Sequence, residues 1–460
     1  MGIFTNPNNY RQNRVGFHYF PDSVHYREYD VQRWIPKLTD LGASWLVLQS
    51  EVERAIPEQF IHAVIDAQIE PIIQFNMSLT EPADLDTLDP ILSAYSRWGM
   101  HAVELFNRPN MRSSWTASSW AQQNLVERFL DLFIPYAERL LMFGLSPIFP
   151  TLQPGGSYWD TVFLRSALES LSKRKQTAIL DSLILSAYGW TGGRPLNWGA
   201  GGPERWPNAR PYFSNPADQD QRGFRIFDWY LTICQAVLGK SCPVILFQAG
   251  IPEDPDTLKE GFWQPEEHTQ TNLAIAKLLA GEKAVEPLDP EQELEQISPQ
   301  LVACNFWLLS ADMHSPYQSQ CWYPEEGDAL PVTSSWRSWI YDPHPDGKDT
   351  LPKEVPQRKD QVIPQEKTPN NHPVKHYLLL PSYDWGVSDW HLEVIRPFVK
   401  KYRPTIGFST EEAALADQVT VIGNTQTFSD DVLDSLRLTG SIVDRISGDG
   451  TTIATLMAER

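Results

Sequence analysis

A repeated alternation of short apolar runs with helical segments, over residues 14–340, is the feature that most constrains the fold of this chain. Eight runs are typical of buried parallel strands, because each is continuously apolar rather than alternating between apolar and polar residues. They cover residues 15–20, 45–48, 71–75, 102–106, 147–150, 184–188, 244–247 and 301–308. Helical spacing of apolar residues fills the intervals, at 31–41, 57–68, 85–98, 125–140, 161–179, 224–238 and 268–281.

Eight strands with intervening helices predict a closed (β/α)8 barrel, a TIM barrel of the α/β class, over residues 1–340. An open doubly wound sheet is the main alternative. That fold favours a glycine-rich phosphate loop after its first strand, and the sequence GFHYFPD at 16–22 is not such a loop. The closed barrel is therefore the favoured architecture.

Two further segments follow the barrel. Residues 341–371 are predicted to be an extended linker, because they hold six prolines, many charges and few aliphatic side chains. Residues 372–460 are predicted to be a small α/β domain, with strand-like runs at 377–380, 419–422 and 442–446. Between the last two runs, Ser429 is suited to cap a helix that carries Leu433 and Leu436, with Gly440 beyond its end.

The charge balance disfavours two kinds of partner. Asp and Glu number 58 against 38 Lys and Arg, for a formal charge of −20. A broad grip on nucleic acid or on an anionic membrane surface needs clustered basic residues instead. No apolar run approaches about 18 residues, so we expect no membrane insertion. The first 15 residues lack the apolar core of an export signal, which leaves the location of the protein open.

Functional side chains of a (β/α)8 barrel belong at the carboxyl ends of its strands. Here those ends are rich in aromatic, amide and hydroxyl groups, and such groups suit a carbohydrate, whose C–H faces stack on rings while its hydroxyls form hydrogen bonds. The chain also has 17 Trp, more than we expect a core to need. For the Trp residues near strand ends, a role in ligand binding and a role in loop packing are equally open. The candidate ligand-binding residues are His18, Asn76, Asn107, Arg108, Tyr158, Tyr188, Trp190, Gln248 and Trp307.

Two strand ends carry a family resemblance. The segment Val103–Asn110, VELFNRPN, resembles the W-E-I-W-N-E-P-N type segment on strand four of the large clan of retaining (β/α)8 glycoside hydrolases. The segment Leu246–Gly250, LFQAG, is similar to the T-E-F-G type segment on strand seven of that clan. The resemblance implies that Asn107 matches a sugar 2-hydroxyl ligand. It also implies that Arg108 stands at the acid/base position and Gln248 at the nucleophile position, where the clan has Glu.

These replacements predict a loss of the clan's chemistry. Retaining hydrolysis needs two carboxyl groups about 5–5.5 Å apart. Arg108 cannot donate a proton near neutral pH, because the pKa of a guanidinium exceeds about 12, and the amide of Gln248 is a poor nucleophile. The barrel is therefore expected to bind glycans without this mechanism, and Arg108 is suited to hold an acidic sugar or a phosphate. Glu104 falls in register with the barrel interior and is assigned an interior or supporting role.

Other acids leave an active enzyme open as an alternative. Several carboxylates lie just past predicted strand ends and are candidates for a relocated catalytic pair: Asp22, Glu51, Glu53, Asp160, Glu253 and Asp312. His18 and His314 also lie near strand ends, although a lone His is more often structural. The sequence contains no HExxH, CxxC or GxSxG motif, so we expect no metal and no cofactor.

The small domain resembles one cell-wall-binding repeat of the type found in clostridial surface-layer proteins. The resemblance runs through Val419–Gly423 (VTVIG), Phe428–Leu433 (FSDDVL) and Val443–Thr451 (VDRISGDGT). It departs at Asn424 and at Asp449–Thr451, and one clear copy is present rather than the usual three. The resemblance implies binding of an anionic wall polymer. The alternative is a small module that packs on the barrel or self-associates.

The favoured interpretation is a carbohydrate-binding, catalytically degenerate protein built like a glycoside hydrolase and associated with envelope or extracellular glycan. One alternative is an active glycoside hydrolase with relocated carboxylates, similar to a cell-wall lysin. The other is a structural or assembly protein without a glycan ligand, whose Trp-rich loops form protein interfaces.

Overall fold

The structure is a computed structural model of the 460-residue chain. It describes residues 13–215, 218–250, 264–287, 289–325, 327–341, 374–381, 395–396, 398–399, 401–402, 404–425, 427–448, 452–453 and 455–456. Contacts divide the chain into two compact units, Met1–Val355 and Pro356–Arg460. The division falls within the proline-rich segment 341–371, whose residues after Tyr341 lie outside the described ranges.

Ten strands are described in the first unit. They are β1 Val15–His18, β2 Trp45–Ser50, β3 Glu70–Met77, β4 Ala102–Phe106, β5 Ser146–Pro147, β6 Leu185–Gly189, β7 Val244–Ala249, β8 Val285–Glu286, β9 Asp289–Glu293 and β10 Leu301–Phe306. Eight of them form one parallel sheet in the order β5-β4-β3-β2-β1-β10-β7-β6. Parallel bridges from Ile148 to Ile184 and from Leu152 to Ala187 join the two ends of this sheet. The predicted TIM barrel is thereby confirmed, with every strand near its expected position.

Helices alternate with the barrel strands. They are α1 Glu28–Asp40, α2 Glu58–Asp66, α3 Leu85–Arg97, α4 Ala117–Trp120, α5 Leu125–Met142, α6 Asp160–Lys173, α7 Thr177–Ser182, α8 Gly202–Arg205, α9 Ile226–Leu238, α10 Pro265–Leu279 and α11 Pro331–Tyr341. The helix expected over 161–179 is two helices, because Lys175 between them adopts a positive φ of 58°. The sequence pattern also missed the β8–β9 hairpin. Across the described ranges, no helix is long and apolar enough to cross a membrane.

The main core lies between the strands and the helices, and it accounts for much of the Trp content. Trp34, Trp322 and Trp336 are fully buried there, and Trp45 is fully buried inside the barrel. Trp322 packs edge-on against Trp336, with ring centroids 5.0 Å apart. Every Trp that the structure describes is buried or half-buried. Packing within the protein therefore involves all 14 Trp that the structure describes, whereas Trp263, Trp385 and Trp390 lie outside the described residues.

Strand β1 lies very close to both of its neighbours at Gly16. Gly16 on β1 pairs in register with Trp45 on β2 and with Asn305 on β10. A methyl group at Gly16 would lie 2.7 Å from Cβ of Trp45 and would overlap the amide oxygen of Asn305. Glycine is therefore required here for close packing of three strands, and not for an unusual backbone angle.

The second unit is a small parallel α/β fold. Its described strands are β11 Val374–Leu379, β12 Thr405–Gly407, β13 Ala416–Ile422 and β14 Ile442–Ile446, in the order β12-β11-β13-β14. Its described helices include α12 Thr410–Ala413 and α13 Asp430–Leu438. Leu433 and Leu436 of α13 are buried as predicted, and Ser429 is the residue before the helix, although its side chain makes no capping hydrogen bond. Apolar clusters lie on both faces of this sheet.

Candidate functional site

Five side chains meet at the carboxyl ends of three barrel strands, and we call them the mouth cluster: Asn107, Arg108, Tyr188, Trp190 and Gln248. Asn107 and Arg108 directly follow β4. Tyr188 is the second-last residue of β6, and Trp190 directly follows that strand. Gln248, on β7, pairs in register with Tyr188. The topology therefore brings the two positions at which the sequence resembles a catalytic pair to the same end of the barrel.

A stacked pair of rings forms the centre of the mouth cluster. The Tyr188 and Trp190 rings are 4.4 Å apart and inclined by only 7°. The guanidinium carbon of Arg108 lies 5.0 Å from the Tyr188 ring centroid and 5.6 Å from that of Trp190. Both distances are within the range of a cation–π interaction. The positive charge of Arg108 is therefore held against the aromatic pair.

Hydrogen bonds tie the amides to the same two rings. The Tyr188 hydroxyl donates to Oδ1 of Asn107 over 2.8 Å, and the indole N–H of Trp190 donates to Oε1 of Gln248 over 3.1 Å. Burial raises the pKa of Tyr188 to about 12, with the charge of Arg108 opposing that rise, so Tyr188 stays a neutral phenol. Tyr188, Trp190 and Gln248 are buried, whereas Asn107 and Arg108 are half-buried. A ligand at the mouth would therefore meet Asn107 and Arg108 first.

The backbone holds Arg108 in a defined place. Its φ is 50°, a left-handed conformation that is uncommon for a residue with a side chain. Its N–H donates to the carbonyl of Thr151 over 2.9 Å, and the hydroxyl of Ser114 donates to its carbonyl over 2.9 Å. The position of Arg108 is thus fixed from the β4 side and from the segment that follows β5.

Beneath the mouth cluster lies a chain of buried polar groups. Glu104 on β4 is fully buried, and its Oε1 accepts from both the N–H and the hydroxyl of Thr151, each over 2.6 Å. Its Oε2 accepts from the amide of Gln74 over 2.6 Å. Burial raises the pKa of Glu104 to about 7, although these donors oppose the rise. Because Thr151 also bonds Arg108, Glu104 supports the mouth cluster from below, in agreement with its predicted interior role.

His18 and Trp307 form a second group inside the barrel. Nε2 of His18 lies 3.3 Å from Oε1 of Gln74, and its ring packs edge-on against Trp307 with centroids 4.8 Å apart. Burial lowers the pKa of His18 to about 4, so the ring is neutral at pH 7. Trp307 is only 3% exposed, and its indole N–H donates to Gln320 over 2.7 Å. The faces of the Trp307 ring are therefore covered mainly by other residues of the protein.

Two further predicted ligand residues, Asn76 and Tyr158, have their described contacts outside the mouth cluster. Asn76 is exposed and lines a cavity of about 440 Å³ together with Glu51. The ring of Tyr158 packs edge-on against Phe163, and the backbone N–H of Tyr158 donates to the carbonyl of Asn110 over 2.8 Å. Neither residue shares a described contact with Arg108 or Gln248.

Four of the six candidates for a relocated catalytic pair accept hydrogen bonds from nearby groups: Asp22, Glu51, Asp160 and Asp312. Asp160 is fully buried and accepts from Gly155, Gln221 and Tyr230, and burial raises its pKa to about 6. Asp22 accepts from the backbone of Val24 and lies 2.7 Å from the ring of His25.

Of the remaining acids, Glu51 is exposed and Asp312 is half-buried. Glu51 accepts from the hydroxyl of Ser23, and Asp312 accepts from the N–H of His314 over 2.8 Å. Glu253 lies outside the described residues, as does Trp263. Within the described ranges, no group of three or more His, Cys, Asp and Glu side chains is arranged to hold a metal ion.

The long segment after β6 is packed largely on itself. Asp220 accepts from the indole of Trp198 over 3.1 Å and from the hydroxyl of Ser214 over 2.7 Å. It also accepts from the guanidinium of Arg222. Arg194 lies 5.0 Å from the Trp198 ring centroid. Loop packing thus accounts for Trp198, one of the Trp residues for which binding and packing were equally open.

The sequence predicted the positions of Arg108, Gln248 and the interior Glu104, but it did not predict Gln74, Thr151 and Ser186, which contact Glu104. Gln74 and Ser186 occupy inward positions of β3 and β6, and Thr151 follows β5. A polar residue inside an otherwise apolar strand was the available signal for Gln74 and Ser186. Which partners they would find depends on the closure of the barrel, which brings Thr151 and Ser186 within 2.8 Å.

Comparison with known proteins gives similarity of fold alone. No protein-family model and no curated protein match the chain. A family 39 glycoside hydrolase from the gut symbiont Bacteroides cellulosilyticus WH2 is 13% identical with a TM-score of 0.44, over 71% of this chain and 63% of that chain. Saccharomyces cerevisiae Gas2p, in complex with laminaritetraose and laminaripentaose, is 10% identical with a TM-score of 0.38, over 70% and 62%.

A third structure is an endo-beta-1,4-glucanase from Xanthomonas axonopodis pv. citri, 11% identical with a TM-score of 0.36, over 71% of this chain and 98% of that chain. The chain thus spans 63% and 62% of the lengths of the first two proteins. At these identities the likeness concerns the barrel architecture and assigns no residue a role.

Proposed function

We propose that the barrel binds a carbohydrate at the carboxyl ends of its strands and does not hydrolyse it by double displacement. The observation that carries this proposal is the mouth cluster. Arg108 and Gln248 contact the same Tyr188–Trp190 pair, at the two strand ends where the resembled clan has its catalytic carboxyls. Aromatic rings beside side-chain amides suit a sugar.

The chemistry of the two residues argues against retained hydrolysis. A double displacement needs one carboxyl group to attack and another to protonate the leaving oxygen. A guanidinium has no proton to give near neutral pH. The amide of Gln248 accepts a hydrogen bond from Trp190 and carries no charge to drive an attack. Binding without turnover is the function left to such a pair.

An active enzyme with relocated carboxylates is the second candidate, and one observation favours it. Glu51, Glu53 and Glu81 line the same cavity as Asn76, near the ends of β2 and β3. Such a cavity could hold a sugar between two carboxyl groups. Asp160 is a weaker candidate, because its oxygens already accept three hydrogen bonds inside the protein.

A screen of chromogenic glycosides separates the two candidates. We expect no turnover by the wild type, and turnover of at least one substrate by the double variant Arg108→Glu/Gln248→Glu, because it restores both carboxyl groups. The single variants Arg108→Glu and Gln248→Glu are the matched controls and should both stay inactive. Thermal unfolding of each variant shows whether it folds.

Turnover by the wild type would overturn the degenerate-site proposal. In that case Glu51→Gln tests the relocated site directly, because loss of the wild-type activity would assign the chemistry to the cavity near β2 and β3. A screen in which every folded variant is inactive would count against restoration at positions 108 and 248.

We also propose, from the resemblance of residues 419–451 to a cell-wall-binding repeat, that the second unit attaches the protein to an envelope polymer. Arg445, on β14, is a basic side chain that could contact such a polymer. Its guanidinium instead pairs with Asp430 over 2.7 Å and donates to the carbonyl of Phe428. Arg403, a second basic residue of this unit, lies outside the described residues. Attachment to an envelope polymer therefore needs groups other than the guanidinium of Arg445.

A further inference from the structure

We infer that the tight turn at residues 210–213, in the segment that follows β6, binds the outer sugars of a carbohydrate chain on the rings of Tyr212 and Phe213. This inference rests on the proposed glycan-binding function and deepens it, because it makes the ligand an oligosaccharide that extends beyond the mouth cluster. It depends on three features of the turn: its backbone conformation, the exposure of its aromatic side chains and its connection to the strand ends.

The backbone of the turn has a conformation that rarely carries a large side chain. The N–H groups of Arg210 and Phe213 each donate to the carbonyl of the other residue over 3.1 Å, so the chain reverses over two residues. The ring of Pro211 fixes its own φ at about −65°, and Tyr212 has a φ of 66°. This combination is that of a type II turn, in which the residue with positive φ is usually Gly or Asn. The tyrosine is therefore held under strain, as residues at functional sites often are.

Both aromatic side chains of the turn are exposed to solvent. Tyr212 is 63% exposed and Phe213 is 65% exposed. The hydroxyl of Tyr212 accepts from the backbone N–H of Trp159 over 2.9 Å, and the centroids of the Tyr212 and Trp159 rings are 5.3 Å apart. The Tyr212 ring is thus anchored at its polar end while most of its surface stays accessible. An aromatic surface that is fixed before binding suits the C–H face of a sugar and limits the entropy lost on binding.

The turn is joined to the segments that follow β4 and β5. Asn110 lies two residues after Arg108, and its side-chain amide donates to the carbonyl of Tyr158 over 2.9 Å. The next residue, Trp159, holds the hydroxyl of Tyr212. The turn therefore belongs to the same end of the barrel as the mouth cluster, where the outer sugars of a bound chain would reach it.

The small size of the turn favours a glycan over a protein partner. Its two exposed aromatic side chains lie in the chain beside exposed polar residues, Asn208 and Arg210. A specific protein interface buries about 1,200 Å² or more, whereas a sugar needs only one aromatic face against which to stack.

A measurement of affinity against chain length tests the inference. A glycan array that presents neutral and acidic oligosaccharides at several chain lengths is probed with the intact protein, and the best series is followed by calorimetry. We expect the affinity to rise by about tenfold once the chain is long enough to reach the turn.

Two substitutions in the turn identify the rings responsible. Phe213→Ala should reduce the rise with chain length and leave the affinity of the shortest bound glycan unchanged. Tyr212→Gly should do the same and keep the turn folded, because glycine adopts a positive φ without strain. Thermal unfolding shows whether each variant is folded.

Two further variants are the controls. Tyr341→Ala removes a ring that is 59% exposed from the last residue of α11, a helix that ends away from the mouth, and should keep the wild-type rise. Asn107→Ala alters the mouth cluster itself and should weaken the binding of chains of every length.

The outcomes separate the inference from the proposed function. Equal affinities at every chain length, or a full rise in both Phe213→Ala and Tyr212→Gly, would overturn the inference and leave glycan binding at the mouth cluster standing. Binding of no glycan at all would overturn both. A wild-type dimer that becomes a monomer in Phe213→Ala, measured by sedimentation velocity, would assign the turn to self-association and would also overturn the inference.

Discussion

Glu104 shows how one buried side chain links the stability of the barrel to pH. Its carboxyl group is fully buried, and burial raises its pKa from 4.5 to about 7. The folded state therefore binds this proton more tightly than the unfolded state does. The stability that Glu104 contributes is fully present below pH 4.5 and is lost as the pH rises through 7. The difference between the two pKa values corresponds to about 3 kcal/mol.

We predict that Glu104→Gln removes this loss. A glutamine amide resembles the protonated acid, since it can accept from Thr151 and donate towards Gln74. Between pH 5 and pH 8.5, the free energy of unfolding measured in urea should fall by up to about 3 kcal/mol more in the wild type than in the variant. Asp160 shifts in the same direction but is present in both proteins, so it cancels in the comparison.

Glu51→Gln is the control for that measurement, because it makes the same substitution at an exposed residue. Parallel pH profiles for the wild type and Glu104→Gln would contradict the prediction. They would mean that the hydrogen bonds from Thr151 and Gln74 keep Glu104 charged in the folded protein.

For single residues, the sequence predicted positions along the barrel better than it predicted burial. Two short motifs predicted that Arg108 and Gln248 lie at the same end of the barrel, because both fall at the carboxyl ends of buried strands. Trp190 was equally open as a ligand platform, yet it is 6% exposed. Burial depends on neighbours from distant strands, such as Tyr188 and Gln248, and no local pattern reports them.

Among the elements, β1 is constrained by close packing at Gly16. Gly16 lets β1 lie against Trp45 and Asn305. We predict that Gly16→Ala destabilises the barrel by about 3 kcal/mol, because the methyl group must displace the amide of Asn305. That amide donates to the carbonyl of Leu246 over 2.8 Å, and the displacement would break this bond. Urea unfolding measures the loss.

Gly144→Ala gives the matched comparison. Gly144 has a φ of 74°, and a methyl group there meets nothing within 4 Å. The cost should be about 1 kcal/mol, from the left-handed backbone alone. If Gly16→Ala proves no more costly than Gly144→Ala, the three strands are less tightly packed than the register indicates.

Strands were predicted more closely than helices. The continuous apolar runs placed every barrel strand within two residues of its observed start, because a buried strand needs apolar side chains on both faces. The run at 161–179 was predicted as one helix, but Lys175 interrupts it with a positive φ. The β8–β9 hairpin has five exposed residues in β9, so it carries no apolar pattern to detect.

For the whole molecule, the eight parallel strands of the barrel followed from the sequence. The contacts divide the chain at Val355. The linker itself is still a prediction, because its residues after Tyr341 are outside the described ranges. The sequence could not predict which side chains of the mouth cluster contact one another, because those contacts join residues of β4, β6 and β7 that are far apart in the chain.

We predict that the intact protein sediments with purified bacterial cell walls and stays in solution once their anionic polymers have been extracted. Brief trypsin treatment of the bound protein should then release the barrel, because the 341–371 segment holds five Lys and Arg residues. The second unit should remain with the walls. Release of the second unit, with the barrel retained, would assign attachment to the barrel instead.

The Gln74 amide has a consequence for the proton positions inside the barrel. Its N–H donates to Glu104, and its oxygen faces Nε2 of His18, which is neutral. Because the amide oxygen can only accept, the proton of the imidazole must be on Nε2. A protonated Glu104 can donate only from Oε2, since Oε1 accepts twice from Thr151. Rotation of the amide would then move the imidazole proton to Nδ1. The tautomer of His18 would thus follow the charge of Glu104, and ¹⁵N chemical shifts of the ring would reveal it.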